Sequence, residues 1–360
     1  MINNLSLDEQ ALIYLDYLQI GRKRIEALMA LDGGLYKQVI SPSSFCVKEI
    51  LGSKQQEVLK YEFDKTISKI LKYLEDNFIG AITILSENYP ENLKHISPVP
   101  FVLYYKGDLS LTKNENILGI VGTRKPTRYG RWAAEEFSSS LAKNGIITIS
   151  GLAYGIDSEV ARNTISVGGK TIAVLGGGIN EIYPSSNEGL ARSIVRNGGL
   201  ILSEYFPSFK PTKYTFPERN RIISGLSRGL LVIEAGLGSG SLITANLAIE
   251  QGKDLFVVPG NIDSKESMGS NKLIAELPST FTHSPDQILD TFGLKKEYEK
   301  EYYQCSFYER RVLDAVNDEP KSFDELCEIL KEDSKNLNLL LTQMEISGII
   351  KKLPGNYYGT

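Results

Sequence analysis

Ile117-Leu118-Gly119-Ile120-Val121-Gly122-Thr123-Arg124 runs from an apolar stretch into a glycine turn, and a helical segment follows. Apolar runs of the same kind recur at Ile146–Ile149, Thr171–Leu175, Leu200–Leu202, Leu230–Ile233 and Leu255–Val258. A near-continuous apolar run suits a strand buried on both faces. Strand, small-residue turn and helix repeated this often predict an α/β fold with a doubly wound, mostly parallel, Rossmann-like sheet.

The flanks differ from this centre. Leu12, Leu15 and Leu18, then Ile25, Leu28 and Leu31, fall at helical spacing. A small N-terminal helical domain is expected over residues 1–78. Gly21-Arg22-Lys23-Arg24 between those helices fits a helix-hairpin-helix grip on phosphate. It also fits a helical bundle with a solvated basic turn, the preferred reading because one such turn is common by chance. Prolines 90, 98 and 100 and the run Phe101–Tyr105 mark an extended connector with a strand or two. Connector and Rossmann-like domain together span 79–292. Residues 293–304 are charged and tyrosine-rich and are expected to be a linker. Within residues 305–360, Phe307–Val316, Phe323–Leu330 and Leu337–Ile346 have helical spacing, and Gly348–Tyr358 fits a hairpin with a Pro-Gly turn. Three helices and a hairpin make a winged helix.

Composition narrows the function classes. The net charge of −4 excludes a broadly basic nucleic-acid binder. By segment, residues 1–118 hold 13 basic and 15 acidic side chains, residues 119–286 hold 17 and 15, and residues 287–360 hold 10 and 14. Only the central segment has a basic balance. Cys46, Cys305 and Cys327 are scattered and odd in number, and His95 and His283 lack ligand-spaced neighbours. Neither a disulfide framework nor a metal site is expected. No apolar run approaches the roughly 20 residues of a membrane span, and no secretory leader is evident, so a cytoplasmic chain is expected.

In an open parallel sheet, ligands gather beyond the carboxyl ends of the strands, near the point where strand order reverses. The residues there are Gly122-Thr123-Arg124, Ser150-Gly151, Gly176-Gly177-Gly178, Ser203-Glu204, Glu234-Ala235-Gly236 and Pro259-Gly260-Asn261. Ser239-Gly240-Ser241 then opens a helix whose dipole and N–H groups suit an anion. Gly176–Glu181 lacks the third glycine of a dinucleotide fingerprint, and Gly236–Ser241 lacks the Gly-Lys of a P-loop. No G-x-S-x-G turn or two-metal carboxylate cluster is present, so no catalytic residue is assigned. From Tyr205 to Arg221, aromatic residues interleave with Lys210, Lys213, Arg219 and Arg221 in what is expected to be a loop. Single strands are gripped in this way, with bases stacked on rings and cations on phosphates. A loop whose aromatics simply pack down has the same composition.

Val121–Gly130, Ser150–Asp157, Thr171–Gly178 with Tyr183-Pro184, and Ser203–Tyr205 together resemble the bacterial DNA-processing protein A (DprA/Smf) family. The resemblance continues through Phe216–Leu226, Glu234-Ala235, Ser239–Ala245 and Val258–Gly260. It implies single-stranded DNA binding without catalysis or cofactor and dimerisation through the Rossmann-like domain. It also implies loading of the RecA recombinase onto DNA during natural transformation. It places DNA contacts at Gly122, Thr123 and Arg124, at Lys213 and Phe216, and at Arg219, Asn220 and Arg221. Ser239, Gly240 and Ser241 complete the expected set. Two departures stand out: the helix after Asp157 lacks the family's usual histidine, and Ala275–Ser279 replaces a usual Gly-Ala pair. The enzyme alternative is a nucleotide hydrolase of the lysine-decarboxylase-like group. Its Pro-Gly-Gly-x-Gly-Thr-x-x-Glu motif is only partly matched by Glu234–Ala245, which lacks the leading proline and the closing glutamate.

Overall fold

A computed structural model describes residues 5–40, 45–59, 63–294, 306–316, 319–347, 349–353 and 355–359. The chain divides into two compact units, Met1–Glu297 and Tyr298–Thr360. From Lys295 to Gln304 the expected linker lies outside the described residues.

The large unit opens with α1 (Leu7–Tyr17), α2 (Arg22–Met29), α3 (Leu35–Ile40), α4 (Phe45–Leu59) and α5 (Phe63–Asp76). Ser6 and Glu9 start α1 with a reciprocal capping box, satisfying two backbone donors at the helix end. Next come β1 (Gly80–Thr83), β2 (Val102–Gly107), β3 (Ile117–Gly122), α6 (Arg128–Lys143), β4 (Ile147–Ser150) and α7 (Ile156–Ser166). They are followed by β5 (Thr171–Val174), α8 (Glu188–Arg196), β6 (Leu200–Ser203), α9 (Thr215–Leu226), β7 (Gly229–Ile233) and α10 (Gly240–Glu250). The unit closes with β8 (Asp254–Val257), α11 (Met268–Glu276), β9 (Thr280–Phe281) and α12 (Pro285–Phe292).

Nine strands form one sheet in the order β1-β2-β6-β5-β4-β3-β7-β8-β9. It is parallel from β6 to β9, and β2 is antiparallel to both its neighbours. All six expected central strands are present within a residue or two. β3 is the pivot: β4, β5 and β6 step away from it on one side, and β7, β8 and β9 on the other. The order therefore reverses between β3 and β7, beyond Gly122 and Ile233.

Apolar residues fill both faces of the sheet. One layer contains Val121, Ile149, Val174, Leu202 and Val232 with Ile222 and Ile223 of α9. The other contains Ile120, Leu231, Ile233 and Phe256 with Phe137 of α6. The helices of residues 1–78 do not stand apart from this sheet as expected. Leu12, Leu15, Ile67 and Leu74 share a core with Val102, Tyr104, Ala173 and Ile201. Apolar surface on β1 and β2 is covered by these helices, which joins the two regions in one unit. Arg22 takes part in that packing: it donates to the Val99 carbonyl and lies 4.5 Å over the Phe101 ring. Arg22 is thus tied into the fold, while Lys23 and Arg24 of the same turn are exposed.

The small unit holds α13 (Phe307–Val316), β10 (Lys321–Ser322), α14 (Phe323–Leu330), α15 (Ser334–Ile346), β11 (Lys351–Leu353) and β12 (Tyr357–Gly359). Its strands pair in the order β10-β12-β11 over a core of Val312, Leu326, Leu337, Leu341 and Met344. This is the expected winged helix. On α15, Asn336, Asn338 and Gln343 are exposed, as are Lys351 and Lys352 on the hairpin.

Candidate nucleic-acid interface

A cleft of about 930 Å³ opens beyond the carboxyl ends of β3 and β7, at the reversal of strand order. Ten of the eleven expected contact residues line it: Gly122, Thr123, Arg124, Lys213, Phe216, Arg219, Asn220, Ser239, Gly240 and Ser241.

The turn after β3 forms one wall. Thr123 N–H donates to the Glu234 carbonyl at 2.8 Å, extending the β3–β7 ladder by one residue. Thr127 caps α6 through its hydroxyl, which accepts from Gly130 N–H. Behind the turn, the buried Glu234 carboxylate accepts from Thr127 N–H at 2.8 Å and from the Thr127 hydroxyl. Both ends of the 122–127 segment are thus fixed, and Arg124 and Lys125 between them are exposed. Gly130 permits this arrangement, because a Cβ there would sit 2.1 Å from Glu234 Oε2. Gly130→Ala is expected to displace that carboxylate from Thr127. It should cost about 1–3 kcal/mol, the scale of losing hydrogen bonds to a buried charge, and urea unfolding would measure it.

The opposite wall comes from the 211–220 segment. The expected loop is a loop only as far as Tyr214; Thr215–Leu226 is helical. Phe216 in its first turn is half-buried, with the Tyr183 ring centroid 5.5 Å away. The Arg124 guanidinium lies 5.5 Å from the centre of the Phe216 ring, bringing a cation and an aromatic face together across the cleft. Gly176 lets the ring lie close, since a Cβ there would meet Phe216 at 2.7 Å. Lys213 is exposed beside them.

Arg219 forms the floor rather than a wall. It is 4 % exposed, and its guanidinium donates to the Gly151 carbonyl at 2.7 Å, to the Val174 carbonyl and to Asn220 Oδ1. Burial pulls its pKa down to about 10, and the nearby Asp157 charge opposes that fall, so the group is cationic at neutral pH. Asp157 is itself pushed above the usual carboxylate range by burial, against the pull of Arg219 and of Gly151 and Ala153 N–H. The third wall is the N-terminus of α10. Ser239 caps it by accepting from Ser241 N–H, and the helix dipole presents a positive end to the cleft.

Arg221 is the one expected contact that does not line the cleft. It is 5 % exposed and pairs with Glu204. Residues two apart on a helix point about 200° apart, so Arg219 and Arg221 cannot serve the same cavity. The cleft lining also holds residues outside the expected set, among them the charged side chains of Lys125, Lys265 and Glu266. Lys265 and Glu266 arrive on the 259–267 loop, which is held where Gly269 and Ser270 N–H donate to the Ala235 carbonyl. Glu266 Oε2 lies 3.4 Å from the Thr123 hydroxyl. Only Lys125 carried a signal, its place next to Arg124. Among the described residues, no group of three or more histidine, cysteine or carboxylate side chains is placed to hold a metal ion.

The profile of the DNA recombination-mediator protein A family matches residues 80–293, and that of the DprA winged helix domain matches residues 308–356. The chain belongs to the DNA recombination-mediator protein A family. It is 35 % identical to Protein Smf of Escherichia coli K12 over 303 residues, covering 81 % of this chain and 80 % of that one. It is 41 % identical to DNA processing protein DprA of Bacillus subtilis over 215 residues, 60 % of this chain and 72 % of that one. Among solved structures, DprA from Streptococcus pneumoniae superposes with a TM-score of 0.60 at 32 % identity, covering 80 % of this chain and 93 % of that one. DNA processing protein A from Helicobacter pylori, whose single-stranded DNA binding mode was the subject of its structure, gives 0.54 at 33 % identity over 59 % of this chain and 95 % of that one. Membership fits the sheet order and the winged helix. Among the described residues, no helix is long and apolar enough to cross a membrane.

Proposed function

We propose that the cleft between the 122–127 turn and α9 binds single-stranded DNA. The observation that carries this reading is the pairing of exposed Arg124 with the Phe216 face, flanked by Lys125 and Lys213. Phosphate needs a cation and a base needs a ring, and here the two are within reach of one nucleotide. The buried cation of Arg219 and the N-terminus of α10 add positive potential from below, where low dielectric preserves it. The Helicobacter pylori relative supports the ligand class. Family membership supports the wider reading: a cytoplasmic dimer, joined through the Rossmann-like domain, that loads RecA onto incoming DNA in natural transformation and performs no chemistry itself.

Fluorescence anisotropy of a labelled oligothymidine, with the matching duplex as control, tests the ligand class. Binding is expected to favour the single strand and to weaken with salt as counterions are released. Phe216→Ala is expected to weaken it by about 1–2 kcal/mol, the lower part of the range for one stacked base, because Tyr183 already covers part of the ring. Equal affinity for duplex, or affinity indifferent to Phe216, would remove the cleft from the mechanism. Release of free base from nucleoside monophosphates would instead favour the nucleotide-hydrolase alternative.

A further inference from the structure

A second cavity of about 340 Å³ lies between the C-terminal end of α1 and the segment after β6, and it shares no residue with the DNA cleft. Tyr17, Tyr205, Phe206 and Phe209 supply aromatic rings, and Asp16 supplies a carboxyl group. A smaller cavity of about 130 Å³ also reaches Asp16 and is lined by Glu204.

The charge arrangement around Asp16 is unusual. It stands in the last turn of α1, which has no basic residue, so its charge adds to the negative end of the helix dipole. Among the described residues the group bonded to its carboxylate is the Tyr104 hydroxyl, at 2.7 Å, and no cation lies within 4.0 Å. The neighbouring cations are engaged elsewhere: Arg22 on the Val99 carbonyl and the Phe101 face, Arg221 on Glu204.

We propose that this cavity is a binding site for an organic cation, a guanidinium or ammonium group held against the aromatic rings with its charge on Asp16. Ring faces attract such groups, and a carboxylate at one end fixes their orientation. The proposal is independent of the DNA-binding reading.

Burial pushes the Asp16 carboxyl up to about 7, helped by the Glu204 charge and opposed by the Tyr104 hydrogen bond. The titratable and charged groups around it are Tyr17, Arg22, Tyr104, Glu204 and Tyr205. A cation binds the ionised form, so affinity should rise with pH through about 7. At pH 6 only about a tenth of the sites is ionised, which should weaken apparent affinity about tenfold relative to pH 8.5.

Saturation-transfer NMR on the full chain, with N-acetyl-arginine amide as probe and its neutral isostere N-acetyl-citrulline amide as control, tests the site. Binding of the arginine probe alone, strengthening with pH, is expected. Asp16→Asn should abolish binding, and Phe209→Ala should weaken it at least severalfold with Asp16 intact, so a folding defect in the first variant does not hide the answer. Agmatine in a parallel arm separates sources: tighter agmatine binding points to a free amine, tighter arginine-amide binding to a side chain of a protein segment. Equal binding of the citrulline control, no binding of any probe, or loss of neither signal in the variants would overturn the proposal. Oligothymidine affinity, measured alongside, reports separately on the DNA cleft.

Discussion

Arg221→Ala is expected to destabilise the large unit by about 3–5 kcal/mol while leaving oligothymidine affinity within twofold of the wild type. Arg221 is 5 % exposed, and the Glu204 side chain it pairs with is 12 % exposed. Two charges removed from water are tolerable only while each faces the other. Deleting the guanidinium leaves the carboxylate buried, with the like-charged Asp16 carboxyl close enough to feel it. The pair is imperfect even when intact, because Glu204 Oε1 and two Arg221 nitrogens have no hydrogen-bond partner among the described residues. The other cation acting on Glu204, Arg22, is engaged with the Val99 carbonyl and the Phe101 ring.

The sign of the pH dependence follows. Burial holds the Glu204 carboxyl above its usual value even with Arg221 present, and removing Arg221 raises it further. The folded state then keeps a proton that the unfolded chain gives up near pH 4.5, so stability falls as pH rises above that value. The deficit of Arg221→Ala should be larger at pH 8 than at pH 5.5. Urea unfolding at both values, beside anisotropy with oligothymidine, measures both halves. A stable variant that no longer binds DNA would return Arg221 to the interface.

Arg221 also shows where the sequence was legible and where it was not. The six central strands were visible because strands buried on both faces must be apolar throughout, and small residues must follow where the chain turns at the sheet edge. β1 and β9 left weaker traces: β1 opens on Gly80 in a proline-punctuated region with no α-helix between it and β2, and β9 has only two residues. The 205–221 segment looked like a loop because prolines punctuate it. Pro217, however, sits in the first turn of α9, where its missing N–H would have had no helical partner. Missing that helix hid the opposite directions of Arg219 and Arg221. Arg124 and Ser239 were legible because one follows a strand end and the other precedes a helix start, whereas Phe216 stood out through the family resemblance and the interleaving of aromatics with cations. Lys265 and Glu266 were not, since a long-range fold back onto Ala235 leaves no local pattern.

Arg124→Ala should show the complementary behaviour: unchanged stability, with single-strand affinity lowered by about 1.5–3 kcal/mol, the scale of one charge-assisted hydrogen bond. Arg124 is exposed and lies over the Phe216 face in the open cleft, whereas the turn that carries it is fixed independently by Glu234 and Thr127. The salt dependence supplies a sharper reading than affinity alone. Each phosphate contact contributes about one unit to the slope of log K against log salt, so the variant should lose about one unit. Arg124→Lys should keep that unit while recovering only part of the affinity, because an ammonium keeps the point charge but not the planar stacking of a guanidinium over Phe216. The 5.5 Å separation of Arg124 and Phe216 further implies that their losses will not add. With Phe216 gone, Arg124 loses its support and its removal should cost less than it does alone. Strict additivity, or an unchanged salt slope in Arg124→Ala, would mean that cation and ring do not serve the same nucleotide. The cleft would then bind its ligand by some other pairing of groups.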